Sequence, residues 1–191
     1  MSEQVFNNSQ NREIGRKILV SIAGVVFCAV SVYAGYLYGT RFDARIFSLS
    51  RVDGAREFLL CYFDELKYFI AVFFAGFTVF APMASAAVLL WRSAEFGCAL
   101  YLFLTLSRGE LLVYDSAAFV SVVVSGSALI LLLVVSLASV MHSRSLRYAV
   151  PDARTLLTYP ETRGFIRAFI AVAAVVLLLL LVKTFSVSLL P

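Results

Sequence analysis

The chain has 191 residues, of which 61% are apolar and only 15% charged. Soluble domains run at about 45–50% apolar and about 25% charged, and a domain of this size still exposes much of its surface. The composition therefore excludes an ordinary soluble domain and requires lipid as the solvent of most of the fold. The formal charge of +4 comes from basic residues set between apolar runs, where topology and anionic headgroups explain them. No basic-aromatic module for nucleic acid is present. Three scattered cysteines, Cys28, Cys61 and Cys98, form neither a disulfide framework nor a metal site, and packing is their expected role.

Residues 1–16 are polar and read as a short, loosely ordered cytoplasmic tail. The first apolar run, Ile18 to Tyr38, follows Arg12, Arg16 and Lys17. Its length exceeds the core of a cleaved signal peptide, about 7–15 residues, and matches the roughly 20 needed to cross a bilayer. A retained transmembrane helix is expected over 18–38, with Tyr33, Tyr36 and Tyr38 at its interfacial end. Residues 39–66 form an exoplasmic polar segment. Within it, Ala55 to Leu66 sets Phe58, Leu59, Tyr62, Phe63 and Leu66 at helical spacing, with Glu57, Asp64 and Glu65 at other angles. This is an amphipathic helix, best laid along the membrane surface. Its apolar face either packs on the chain's own bundle or docks a partner.

A second span is expected from Tyr68 to Trp91, kinked at Pro82, with Ser85 or a neighbouring helix meeting the freed carbonyl. Gly76 and the alanines around Pro82 permit close helix approach. Trp91-Arg92 reads as an interfacial stop. The third run, 93–107, is short: its 15 residues between Arg92 and Arg108 reach about 22 Å against a core of about 30 Å. It either spans with snorkelling arginines or re-enters. Five spans with the N-terminus inside place nine of the 16 Lys and Arg residues in cytoplasmic segments, against six for a re-entrant third run. The positive-inside rule favours five spans and an exoplasmic C-terminus.

The fourth run, Ala117 to Met141, carries Ser121, Ser125, Ala128, Ser136 and Ser139 near one stripe, which reads as a helix–helix interface, with a polar path as the alternative. A cytoplasmic loop, 142–164, is punctuated by Pro151 and Pro160. The fifth run spans 165–185. Together these elements describe an all-α, polytopic helix bundle, with residues 17–191 as one membrane domain.

Chemistry is sparse. Catalysis at depth needs converging ionisable groups, and none is expected inside the long runs. His142, the single histidine, reads as a solvated loop residue. Tyr114-Asp115 lacks a second carboxylate to share a proton, and Val124-Ser125-Gly126-Ser127 lacks a base. No phosphate loop or metal-ligand spacing occurs. A non-enzymatic protein with no catalytic residue, cofactor or metal is expected. Glu95 can pair with Arg92 three residues away. An ion-coupling role for it would need a second buried partner.

The pattern resembles the stage II sporulation protein M family. The residues that carry the likeness are Phe63-Asp64-Glu65-Leu66-Lys67-Tyr68, Gly76-Phe77-Thr78-Val79, Pro82, Phe96-Gly97 and the closing Leu189-Leu190-Pro191. Where the family often has Lys-Gly or Asn-Gly-Phe before the third helix, this chain has Arg92-Ser93-Ala94-Glu95-Phe96-Gly97. The resemblance implies a non-enzymatic scaffold in a bacterial cell membrane. Such a scaffold holds cell-wall hydrolases, an amidase/endopeptidase and a lytic transglycosylase, on the exoplasmic side at the septum during forespore engulfment. On that reading Phe58, Tyr62 and Phe63 anchor the partners, aromatics being the usual interface anchors. Arg41, Arg45 and Arg51 form a charged rim, and Gly76, Pro82 and Gly97 shape the bundle. The competing expectation is a membrane-spanning transporter or permease subunit. Membrane lipids are the other expected partner, nucleic acid is not, and self-association stays open.

Overall fold

The computed structural model describes residues 2–39, 55–106, 112–148 and 159–188. Among them the chain is helical throughout: α1 (Ser2–Gly39), α2 (Ala55–Ala75), α3 (Ala81–Leu106), α4 (Leu112–Tyr148) and α5 (Pro160–Ser188). Four stretches are long and apolar enough to cross a membrane: Ile18–Gly39, Ala81–Thr105, Phe119–Leu146 and Pro160–Phe185. The protein is a multi-pass helical membrane bundle. The fifth helix, α2, is set apart by its charged residues Arg56, Glu57, Asp64, Glu65 and Lys67.

The contacts fix the direction of each helix. Gly97 of α3 lies against Val32 and Tyr36 of α1, and Gly39 against Tyr101, so α1 and α3 run parallel. Phe96 meets Gly126, and Phe103 meets Phe119, so α4 runs back along α3. On α5, Phe73 of α2 stacks on Phe165 and Phe169, whereas Tyr62 reaches Ala173, so α2 and α5 are antiparallel. Direction therefore alternates through all five helices, and α2 descends between α3, α4 and α5. Its face Phe58, Tyr62, Leu66, Phe69, Val72 follows the three-and-four spacing of a helix and enters a core shared with Cys28, Leu89, Val124, Leu132, Val135, Val176 and Leu180.

Several boundaries differ from the sequence reading. The chain does not continue as one kinked helix from 68 to 91. It turns at 76–80, and α3 then runs unbroken through Trp91 and Arg92. Gly76 donates to the Val72 and Phe73 carbonyls to close α2, and Thr78 Oγ1 accepts from the Phe80 amide ahead of α3. Pro82 sits in the first turn of α3, where its missing N–H removes a donor that would have no helical partner. Ser85 is buried with no hydrogen-bond partner among the described residues, so it does not mend a proline kink. The turn is locked to α4 by Ser143 Oγ, which donates to the Thr78 carbonyl at 2.6 Å.

At the other junctions, helix extends further than hydropathy indicated. The polar start is helical from Ser2, α4 runs from 112 to 148, and α5 begins at Pro160 rather than at 165. Proline is favoured at a first helical position, and Glu161 beside it suits the positive end of the helix dipole. His142 belongs to α4 and is buried, not solvated. Its ring stacks on Phe165 with centroids 4.7 Å apart and meets Phe77 edge-on.

α1 and α3 approach one another backbone to backbone. Ser21, Gly24, Cys28, Ser31, Gly35 and Gly39 form an inward stripe of small residues on α1, while Ile22, Val26, Val30, Tyr33 and Leu37 face outward. A methyl group at Gly35 would fall on the Ala94 carbonyl, and one at Gly97 on the Val32 carbonyl. Such backbone approach replaces the hydrophobic drive that lipid removes with dispersion contacts over short distances.

Candidate functional site

The polar residues of α2 and α3 converge halfway along their hairpin. Arg92 lies near the middle of Ala81–Thr105, about 16 Å from its start at roughly 1.5 Å per residue. Its side chain is only 12% exposed. One guanidinium nitrogen, Nη2, donates to Glu65 Oε1 of α2 at 2.5 Å, and the other, Nη1, donates to Glu95 Oε2 at 3.1 Å. Arg92 thus ties two carboxylates from two helices, using the planar fork that a lysine lacks.

Glu95 is held from three sides. Tyr68 Oη donates across its two oxygens at 2.9 and 3.0 Å, and Trp91 Nε1 donates to Oε1 at 2.6 Å. The Tyr68 ring also lies beneath the Arg92 guanidinium at 5.6 Å and the Lys67 ammonium at 5.2 Å. Lys67 in turn donates to Asp64 at 3.1 Å. The cluster therefore holds three acids, Asp64, Glu65 and Glu95, against two bases, Lys67 and Arg92. Glu65 Oε2 is buried with no hydrogen-bond partner among the described residues.

Charge at this depth is costly unless paired, and in membrane helices it usually marks function. The expectation that no ionisable group occupies the interior of a span is overturned by the unbroken α3. Arg92 is no interfacial stop, and Glu95 has a partner beyond its own helix in Tyr68, with Glu65 sharing the same guanidinium. The missed signal was the position of Glu65 and Arg92, 13 and 14 residues to either side of Thr78, which an antiparallel hairpin sets level. That pairing becomes legible once the turn is placed at 76–80.

The residues expected to bind partners divide. Arg41, Arg45 and Arg51 lie outside the described residues. Phe58 and Tyr62 are half-buried against the core, and Tyr62 Oη points at the Ala173 carbonyl at a long 3.4 Å. Phe63 faces outward at 57% exposure, beside Leu59 and Leu60. Among the residues expected to shape the bundle, Gly76 makes the turn against Phe165 and Ser139, and Gly97 makes the α1–α3 contact. Pro82 starts α3. Ser121 and Ser125 are half-buried on α4. Further along the same stripe Ser136 and Ser139 are buried, and Ser139 Oγ donates to the Val72 carbonyl at 2.8 Å. The side chains of Tyr114 and Asp115 lie outside the described residues. Cys28 is buried and Cys61 exposed. Among the described residues no group of three His, Cys, Asp or Glu is placed to hold a metal ion. No protein-family model, curated protein or solved structure matches this chain.

Proposed function

We propose that the protein is a non-enzymatic scaffold of a bacterial cell membrane, as its resemblance to stage II sporulation protein M implies. On this reading it holds cell-wall hydrolases against the exoplasmic face at the septum during engulfment. The observation that carries the reading is the state of the α2–α3 charges. Arg92 and Glu95 are engaged by one another, by Glu65, Tyr68 and Trp91, which suits a fixed tie between helices better than a proton-transferring pair. The outward Leu59, Leu60 and Phe63 on the first half of α2, within about 9 Å of Glu65 along the helix, supply apolar contact area for a membrane segment of such a partner.

The test is purification of the tagged full chain from its native membrane in mild detergent, followed by identification of what accompanies it. Wall hydrolases in the eluate, lost when Leu59, Leu60 and Phe63 are changed together to Ser, are the expected result. Recovery unaffected by that triple change removes the α2 docking claim, and an eluate without hydrolases removes the scaffold.

A second reading, a transporter subunit, is favoured by one observation: ionisable groups sit at mid-bundle, where coupling sites of transporters lie. Proton or solute flux into vesicles containing this chain alone would establish it over the scaffold.

A further inference from the structure

The polar cluster does not close on itself. From Asp64 through Lys67, Tyr68 and Glu95 to Trp91, a continuous strip reaches the outer surface of the α2–α3 hairpin. The Asp64 side chain is 76% exposed, Lys67 56% and Glu95 37%, and Trp91 is 63% exposed. This strip lies level with the centre of α3, because Glu65 and Arg92 meet there. Bare lipid is a poor neighbour for it: groups of this kind at depth almost always face protein or water, and tryptophan ordinarily sits at the membrane interface. At this level on α4 and α5 the outward residues are apolar, as with Ile130 and Ile170.

We infer that this strip is an intramembrane docking site for a partner transmembrane helix that carries one basic residue near its middle. The sign follows from the charges. Asp64, Glu65 and Glu95 outnumber Lys67 and Arg92 by one, and Asp64 and Glu95 are the acids that reach the surface. A partner lysine or arginine neutralises the excess, adds a charge-assisted bond to those that Lys67 and Arg92 already make, and shields the two carboxylates from lipid. Trp91 offers the flat, rigid contact area that interface anchors use. A second copy fits poorly, since a two-fold interface sets the same strip against itself and doubles the uncompensated charge. The inference deepens the scaffold reading by naming the chemistry of one partner, yet it depends on the hairpin alone and not on hydrolases.

Trp91 is the single tryptophan of the chain, so its emission reports on this face directly. The full chain is reconstituted in phosphatidylcholine bilayers with acceptor-labelled, tryptophan-free peptides of about 21 leucine and alanine residues, a length that spans the core. One peptide carries a central lysine, one is wholly apolar and one carries a central glutamate. The expected result is saturable energy transfer from Trp91 to the lysine peptide at a peptide density at least ten-fold lower than for the other two. Asp64→Asn, a change at an exposed position, and Glu95→Gln should each reduce that preference at least three-fold, with helical content unchanged by circular dichroism. Equal transfer to all three peptides overturns the inference. So does a Trp91 already shielded from brominated lipid in a manner that rises with the protein's own density, which would assign the face to a second copy. Failure to recover wall hydrolases bears on the scaffold and leaves this result standing.

Discussion

Arg92 of α3 and Glu65 of α2, 27 residues apart in sequence, bond at 2.5 Å with side chains only 12% and 20% exposed. Removing one member leaves the other charge buried without its main partner, which generally costs about 3–5 kcal/mol, whereas replacing both with apolar groups is often near neutral. Arg92→Leu and Glu65→Leu are each expected to lower the unfolding midpoint in detergent sharply. The double variant should recover much of the loss, and Arg92→Lys should behave more like Leu than like wild type. Thermal unfolding of the wild type, the two leucine variants and the double variant, treated as a double-mutant cycle with Arg92→Lys measured beside it, checks this. Additive losses would mean that the two residues do not share an interaction.

Gly35 and Gly97 set the distance between α1 and α3. Even one added methyl group would meet the facing backbone, Ala94 or Val32, which has little freedom to withdraw. Gly35→Ala and Gly97→Ala are expected to destabilise by about 1–3 kcal/mol or more, as overpacking does. Gly15 has no neighbour within 4 Å, so Gly15→Ala is expected to be neutral or to gain up to about 1 kcal/mol of helix propensity. Unfolding midpoints of the three variants give the comparison, and a tolerant Gly35 would contradict the close approach.

Helix content, the membrane class and the inward serines of α4 were legible from hydropathy and small-residue spacing alone. The hairpin was not. Between Tyr68 and Trp91 the sequence has no charge, so a continuous span and a turn at Gly76 give the same hydropathy. Only Gly76 and Pro82, six residues apart, mark the break. Misplacing it moved Arg92 from the centre of α3 to its edge and hid the cluster. Glu65 reads from sequence only as lying off the apolar face of a surface helix, because its partner is on another helix and pairing across helices has no signature in a linear pattern. The small residues Ser31, Gly35 and Gly39 recur every four positions in α1. That repeat was the overlooked sign that α1 lies close on a neighbour.

Ser139 on α4 donates to the Val72 carbonyl on α2, and both residues are fully buried. Ser139→Ala leaves a carbonyl that still receives the Gly76 amide, so the expected loss is modest, about 0.5–1.5 kcal/mol. Ser139→Val sets a branched apolar side chain against the Val72 carbonyl that Ser139 Oγ now meets at 2.8 Å, and should cost more than the alanine. The order wild type, Ala, Val in unfolding midpoint is the expected readout, and a valine variant as stable as alanine would argue against tight α2–α4 packing.

The alternating directions make a topological prediction that composition does not. Four apolar spans alone would return the chain to the side on which it started. The structure has α2 descending between α3 and α5, with Phe73 against Phe165 and Phe169 at one end and Tyr62 near Ala173 further along. The start of α1 and the end of α5 consequently lie at opposite ends of the bundle. A reporter that fluoresces only in the cytoplasm and a phosphatase active only outside it, fused in turn to each terminus, should therefore report opposite sides. Cysteines introduced together at Tyr36 and Tyr101, whose rings meet at 5.3 Å, should cross-link under mild oxidation and confirm that α1 and α3 meet at that level. Both termini on one side, with that cross-link intact, would show that α2 lies against the bundle without carrying the chain across the membrane.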